Sequence, residues 1–122
     1  MTFPELLDWQ WSDYPEKHRN RVNLLIHIVA VPLFWLGAIQ IVGTLLLLLI
    51  GVPGAFSMLV WALIFMGGSL FAQGRGHAME ATAPEKFANR GQAAQRILAE
   101  QFVTFPRFVV TGGWLQNLKG AA

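Results

Sequence analysis

Three histidines, His18, His27 and His77, are the only imidazoles in the chain. Each has a hydrogen-bonding residue four positions before it: Tyr14, Asn23 and Gln73. On a helix that spacing is one turn, so ring and partner share a face. Glu80 follows His77 by three positions and extends the face of Gln73 and His77. A metal-bound imidazole needs a partner for its second ring nitrogen, and a residue one turn away can supply it or orient another ligand. The candidate ligands are therefore His18, His27 and His77, with Glu80 as a fourth ligand or an acceptor behind them. Imidazole and carboxylate without sulfur suit Fe, Zn, Mn or Cu. Three His, or two His and Glu80, leave positions open for substrate or oxygen, as in non-haem Fe(II) oxygenases and catalytic zinc sites.

Plainer roles stay open for the same residues. A histidine at a membrane boundary can simply pack, Asn23 and Gln73 can be interhelical hydrogen-bond glue, and Glu80 can be a solvated residue opening a loop. His27 is the sharpest case. It lies inside an apolar run, where a polar ring is costly and faces a partner or a cavity.

The element that must bring these residues together is a hairpin. Between Arg21 and Arg75 there is no Asp, Glu, Lys or Arg. Residues 22–50 are almost wholly apolar. As one helix they extend about 43 Å, against about 30 Å for a hydrocarbon core. The helix must tilt and overhang, or kink or divide at Pro32 and Gly37. GVPG at 51–54 is the clearest turn, and residues 55–73 give a second span. Residues 74–96 are polar and predict an exposed loop. Residues 97–119 are apolar again but interrupted by Glu100, Pro106, Arg107 and Gly112-Gly113. They predict a third span or an interfacial helix. His18 and His27 are nine residues apart, half a turn out of phase on one straight helix. A break near Arg19 to Arg21 is needed for both to face one site.

The fold class is all-α: a single membrane domain over residues 1–122, built on a transmembrane hairpin. Apolar residues make up 54% of the chain and charged residues 13%, about half the usual charged share. There is no cysteine, which excludes disulfides, thiolate metal sites and a cysteine nucleophile. A net charge of +2, with no basic stripe, argues against nucleic acid. Ser12, Ser57 and Ser69 sit in no nucleophile elbow, and Gly74 and Gly76 lack the Lys-Ser/Thr of a phosphate loop. Lys17, Arg19 and Arg21 precede the first span; Arg75, Lys86, Arg90 and Arg96 follow the second; the turn has no charge. The positive-inside rule places both ends on the cytoplasmic side, bringing 18–27 and 73–80 to one depth.

The pattern Y-x3-H-x4-N-x3-H-x4-P, from Tyr14 to Pro32, resembles the first motif of the Mpo1-like family, long catalogued as DUF962. Gln73, Gly76, His77, Glu80 and Pro84, as Q-x2-G-H-x2-E-x3-P, resemble its second. The motifs stand in the family's order around a hydrophobic hairpin, and the likeness covers roughly residues 9–115. Gly74 and Arg75 stand where the family usually has bulky apolar residues. The resemblance implies a small helical membrane protein. It also implies an Fe(II)-dependent dioxygenase that shortens 2-hydroxy fatty acids by one carbon, a step of α-oxidation. His18, His27 and His77 are then the iron ligands. Tyr14, Asn23, Gln73 and Glu80 support the chemistry, and Arg75 or Arg107 pairs with the substrate carboxylate, their plainer role being interfacial anchoring. The acyl tail is expected between the spans near Phe34, Trp35, Phe65 and Phe71. The partners are a fatty-acid-like lipid and O2, with homo-oligomers left open. The membrane is the inner membrane in a bacterium or the endoplasmic reticulum in a eukaryote. A non-catalytic membrane lipid-binding or assembly protein and a zinc-dependent lipid hydrolase are the alternatives.

Overall fold

The computed structural model of the chain describes residues 1–121. The uncharged block folds back on itself as two long helices, α2 (Arg21–Leu49) and α3 (Ala55–His77). Gly51 and Gly54 make the reversal with φ of 75° and 82°, a left-handed region that disfavours other residues. α2 runs unbroken through Pro32 and Gly37. Gly37 is instead a close crossing point. A Cβ there would stand 2.5 Å from Met66 Cγ and 2.9 Å from the Ala62 carbonyl oxygen, so only glycine lets the helices approach this closely. Both helices are long and apolar enough to cross a membrane. Only 28% and 17% of their most apolar windows are buried within the protein. Most of this apolar surface therefore faces outward, as a lipid-facing surface does.

The remaining elements gather at the open end of the hairpin. α1 (Phe3–Ser12) starts with a reciprocal cap between Thr2 and Glu5, and a 3₁₀ turn (Tyr14–Lys17) follows. After the loop from residue 78, Asn89 caps α4 (Arg90–Ala99). A π-helical turn (Glu100–Thr104) leads into α5 (Phe105–Val110), and α6 (Gly113–Gly120) closes the described chain. Residues 97–119, expected as one span or interfacial helix, are thus divided among four elements. No strand occurs among the described residues.

Side-chain donors of α6 tie it to α2 and to the 3₁₀ turn. The Trp114 indole donates to the Leu24 carbonyl at 2.9 Å, and Asn117 donates to the carbonyls of Pro15 and His18 at 2.9 and 2.8 Å. Tyr14, Leu24, Val31, Phe105 and Phe108 form the shared core.

The π-helical turn has an identifiable cause. Proline has no N–H and its ring clashes with the carbonyl four residues back in an α-helix. In the π register the Phe105 N–H bonds the Glu100 carbonyl, and the acceptor stranded by Pro106 becomes the Gln101 carbonyl. The Trp35 indole fills that acceptor at 2.7 Å. Sequence, helix register and packing agree here: Pro106 demands a widened turn, and Trp35 supplies the missing donor.

Candidate metal centre

The three imidazoles meet at the open end of the hairpin. Their ring centroids are 4.8 to 5.0 Å apart, and the three ring planes cross pairwise at 80° to 89°. The needed break is present. His18 ends the 3₁₀ turn, residues 19–20 are not helical, and α2 begins at Arg21 with Asn20 as its cap.

Backbone fixes two of the rings. His18 Nδ1 donates to the Tyr14 carbonyl at 2.8 Å, and His27 Nδ1 to the Asn23 carbonyl at 3.0 Å. The partners one turn back are therefore the predicted residues, acting through main chain rather than side chain. A carbonyl has no proton to give, so Nδ1 must carry it and Nε2 presents a lone pair. The Tyr14 ring also stacks on His18, with centroids 3.8 Å apart.

A carboxylate completes the group, and it belongs to Glu100. Nε2 of each histidine lies 3.7 Å from a Glu100 carboxylate oxygen. The four donor atoms all fall within 4.8 Å of one another. At 3.7 Å these are not hydrogen bonds, and Nε2 of His18 and His27 is buried without any partner. Unprotonated nitrogens facing a carboxylate repel one another unless a cation sits between them. Donors bound at about 2.1 Å to a tetrahedral ion lie about 3.4 Å apart, near the 3.7 Å between each Nε2 and Glu100. His18, His27, His77 and Glu100 thus form a group that can hold a metal ion. The charge states agree: burial pushes the His18 imidazole down to about 3, so it is neutral at pH 7.

Glu80 is not the fourth member. α3 ends at His77, so the helical face does not continue to it. Its carboxylate turns back and accepts from the Arg19 and Asn20 backbone N–H groups at 3.0 Å and from Asn23 Nδ2 at 2.6 Å. It therefore pins the break between His18 and α2 and holds Asn23, whose carbonyl orients His27. Gly76 leaves room for that side chain; a Cβ there would stand 2.2 Å from Asn23 Oδ1. Gln73 is also placed differently from expectation. Its amide exchanges hydrogen bonds with Gln101 and donates to Ser69, whose hydroxyl donates to the Ala30 carbonyl. That relay joins the hairpin backbone to the turn carrying Glu100. The Tyr14 hydroxyl is buried without a hydrogen bond of ordinary geometry; burial, then the Glu100 charge, raises it well above the usual tyrosine value.

A cleft of about 560 Å³ opens beside the four residues, lined by His18, His77 and Glu100. Neither Arg75 nor Arg107 lines it. Arg75 is two residues from both Gln73 and His77, about 200° round the helix from them, and is exposed. Arg107 is exposed and stacks on Trp11 at 4.0 Å. The basic residues at the cleft are Lys17, Lys86 and Arg96. Phe34, Trp35, Phe65 and Phe71 do not line it either: Phe34 is core, Trp35 caps Gln101, and Phe71 is exposed. Glu100 was visible in sequence only as a carboxylate entering an apolar run.

Fold and site together define a helical hairpin protein whose open end carries a three-histidine, one-carboxylate group. No family model matches the chain, and no curated protein or solved structure matches it significantly.

Proposed function

We propose that the protein is a membrane-embedded non-haem Fe(II) dioxygenase that shortens 2-hydroxy fatty acids by one carbon. One observation carries the reading: three imidazole nitrogens and the Glu100 carboxylate converge within 4.8 Å, two of the nitrogens buried without a partner, beside a cleft at the polar end of an apolar hairpin. The resemblance of the two histidine motifs to the Mpo1-like family supports iron over zinc. His18, His27, His77 and Glu100 would hold the ion, and iron bound there supplies the dioxygen chemistry. The protein's part is placement. Tyr14 and Asn23 fix ring orientation through their carbonyls, the Gln73–Gln101 pair fixes Glu100, and the cleft admits the substrate.

The basic residues at the open end and the uncharged turn support a cytoplasmic-face centre, in the inner membrane of a bacterium or in the endoplasmic reticulum of a eukaryote. Metal analysis of the purified protein, followed by incubation with 2-hydroxypalmitate under air, tests the reading. Near-stoichiometric iron and the acid one carbon shorter are expected. Zinc with ester hydrolysis favours the lipid hydrolase instead, absence of metal favours the binding protein, and no product from fully iron-loaded protein overturns the proposed reaction.

A further inference from the structure

We infer that Lys17 is the residue that recognises the anionic head of the single-chain amphiphile entering the cleft. This deepens the proposed reaction and rests on it only for what happens to the head once bound.

Three cations and three anions line the cleft: Lys17, Lys86 and Arg96 against Asp13, Glu85 and Glu100. They are not equally free. The Arg96 guanidinium donates to the carbonyls of Glu85 and Lys86 at 2.8 and 3.2 Å. It lies between the rings of Trp9 and Phe87, 5.0 and 4.5 Å from their centroids. Arg96 is committed to holding the 85–87 segment against α1. Lys86 is exposed. Glu100 faces the imidazoles.

Lys17 differs from both. Its side chain is 12% exposed, it neighbours His18 in the chain, and its one ion-pair partner is Asp13 at 2.8 Å. Asp13 is 41% exposed and caps nothing through its side chain. An ion pair with so exposed a partner is weak, so a ligand carboxylate entering the cleft can take Asp13's place while Asp13 turns to water. A head paired to Lys17 stands beside the four-residue group, where positive charge from a bound cation adds to the attraction.

The walls say where the chain goes. Trp9, Leu70, Phe87 and Ile97 supply the apolar lining. Leu70 precedes His77 by seven residues on α3, about 10 Å toward the apolar end of the hairpin. The cleft therefore leads from a charged end toward bilayer depth, which fits a hydrocarbon chain trailing from an anionic head.

The test is displacement of a dansyl-labelled undecanoic acid from the full-length protein in phosphatidylcholine nanodiscs, with metal content measured for each variant. Laurate is expected to displace the probe at least ten-fold better than dodecanol. Lys17→Gln should erase most of that preference. Asp13→Asn, which frees Lys17, should strengthen laurate binding several-fold, and it keeps the idea exposed should the lysine variant fail to fold. Metal-stripped wild-type protein should keep a Lys17-dependent preference. Equal displacement by laurate and dodecanol, a preference surviving Lys17→Gln, or its complete loss on metal removal overturns the assignment. A Lys17-dependent preference in protein that turns over nothing supports the assignment and counts against the dioxygenase alone.

Discussion

Gln73 and Gln101 exchange two amide hydrogen bonds, of 2.9 and 2.8 Å, in a buried contact between α3 and the π-helical turn. Gln101 stands next to Glu100 in the chain. It is how the hairpin dictates the position of a carboxylate that arrives from outside it. Truncating one partner strands the other's buried amide, which costs about 1–3 kcal/mol. Gln101→Ala is therefore expected to lower stability by that amount and to weaken metal binding, and Gln73→Leu/Gln101→Leu to recover part of the stability without the metal. Denaturation midpoints and metal content measure both; a metal affinity equal to wild type in Gln101→Ala would remove the positional role.

Glu100 and Glu80 should separate cleanly by metal content. Glu100→Ala removes one of four donors and should abolish near-stoichiometric uptake, as should His27→Ala or His77→Ala. Glu80→Gln should keep the metal at saturation and lose about 1–3 kcal/mol, since its carboxylate holds backbone N–H groups instead. The reverse ranking of the two glutamates would contradict the donor set.

Gly76 is a space requirement. Gly76→Ala drives a Cβ into Asn23 Oδ1 and should disturb both the Glu80 contact and the His27 carbonyl partner. Gly68→Ala, on the same helix with nothing within 4 Å, is expected to be neutral or stabilising by up to about 1 kcal/mol. Thermal stability and metal content of the two variants, measured side by side, check this; equal behaviour would mean that Asn23 can move aside freely.

Acid should weaken the metal-free protein. The folded His18 ring takes its proton at about 3, against 6.5 ordinarily, so between those values the unfolded chain binds more protons and stability falls with falling pH. The unfolding free energy taken from denaturation curves should fall between pH 7 and pH 4 by an amount on the order of a few kcal/mol. His18→Gln should flatten the upper part of that dependence, and a profile unaffected by the substitution would assign it elsewhere.

Much of the fold was legible because its signals are local. The GVPG turn, the uncharged run and the placement of basic residues predict a hairpin returning His77 to the depth of His18 and His27. The half-turn phase mismatch predicts the break at residues 19–20. Glu80 misled because its spacing assumes a helix that stops three residues short of it. Arg75 carries the right charge for a substrate carboxylate, but its angle round α3 turns it away from the cleft. Glu100 was hidden for a different reason. Its direction depends on the register change forced by Pro106 and on Trp35, sixty-five positions earlier in the chain, and neither shows in the pattern around Glu100.

The π-helical turn also bears on descent. Such a turn amounts to one residue more than an α-helix needs, and each residue rotates a helix by about 100°. Deleting a single position between Arg96 and Pro106 would swing Glu100 away from the imidazoles while every other side chain on α2 and α3 stayed in place. Loss of the carboxylate by this route is an event of length, not of residue identity. A chain altered in that way would still align with its ancestor at nearly every position, with its fourth donor gone.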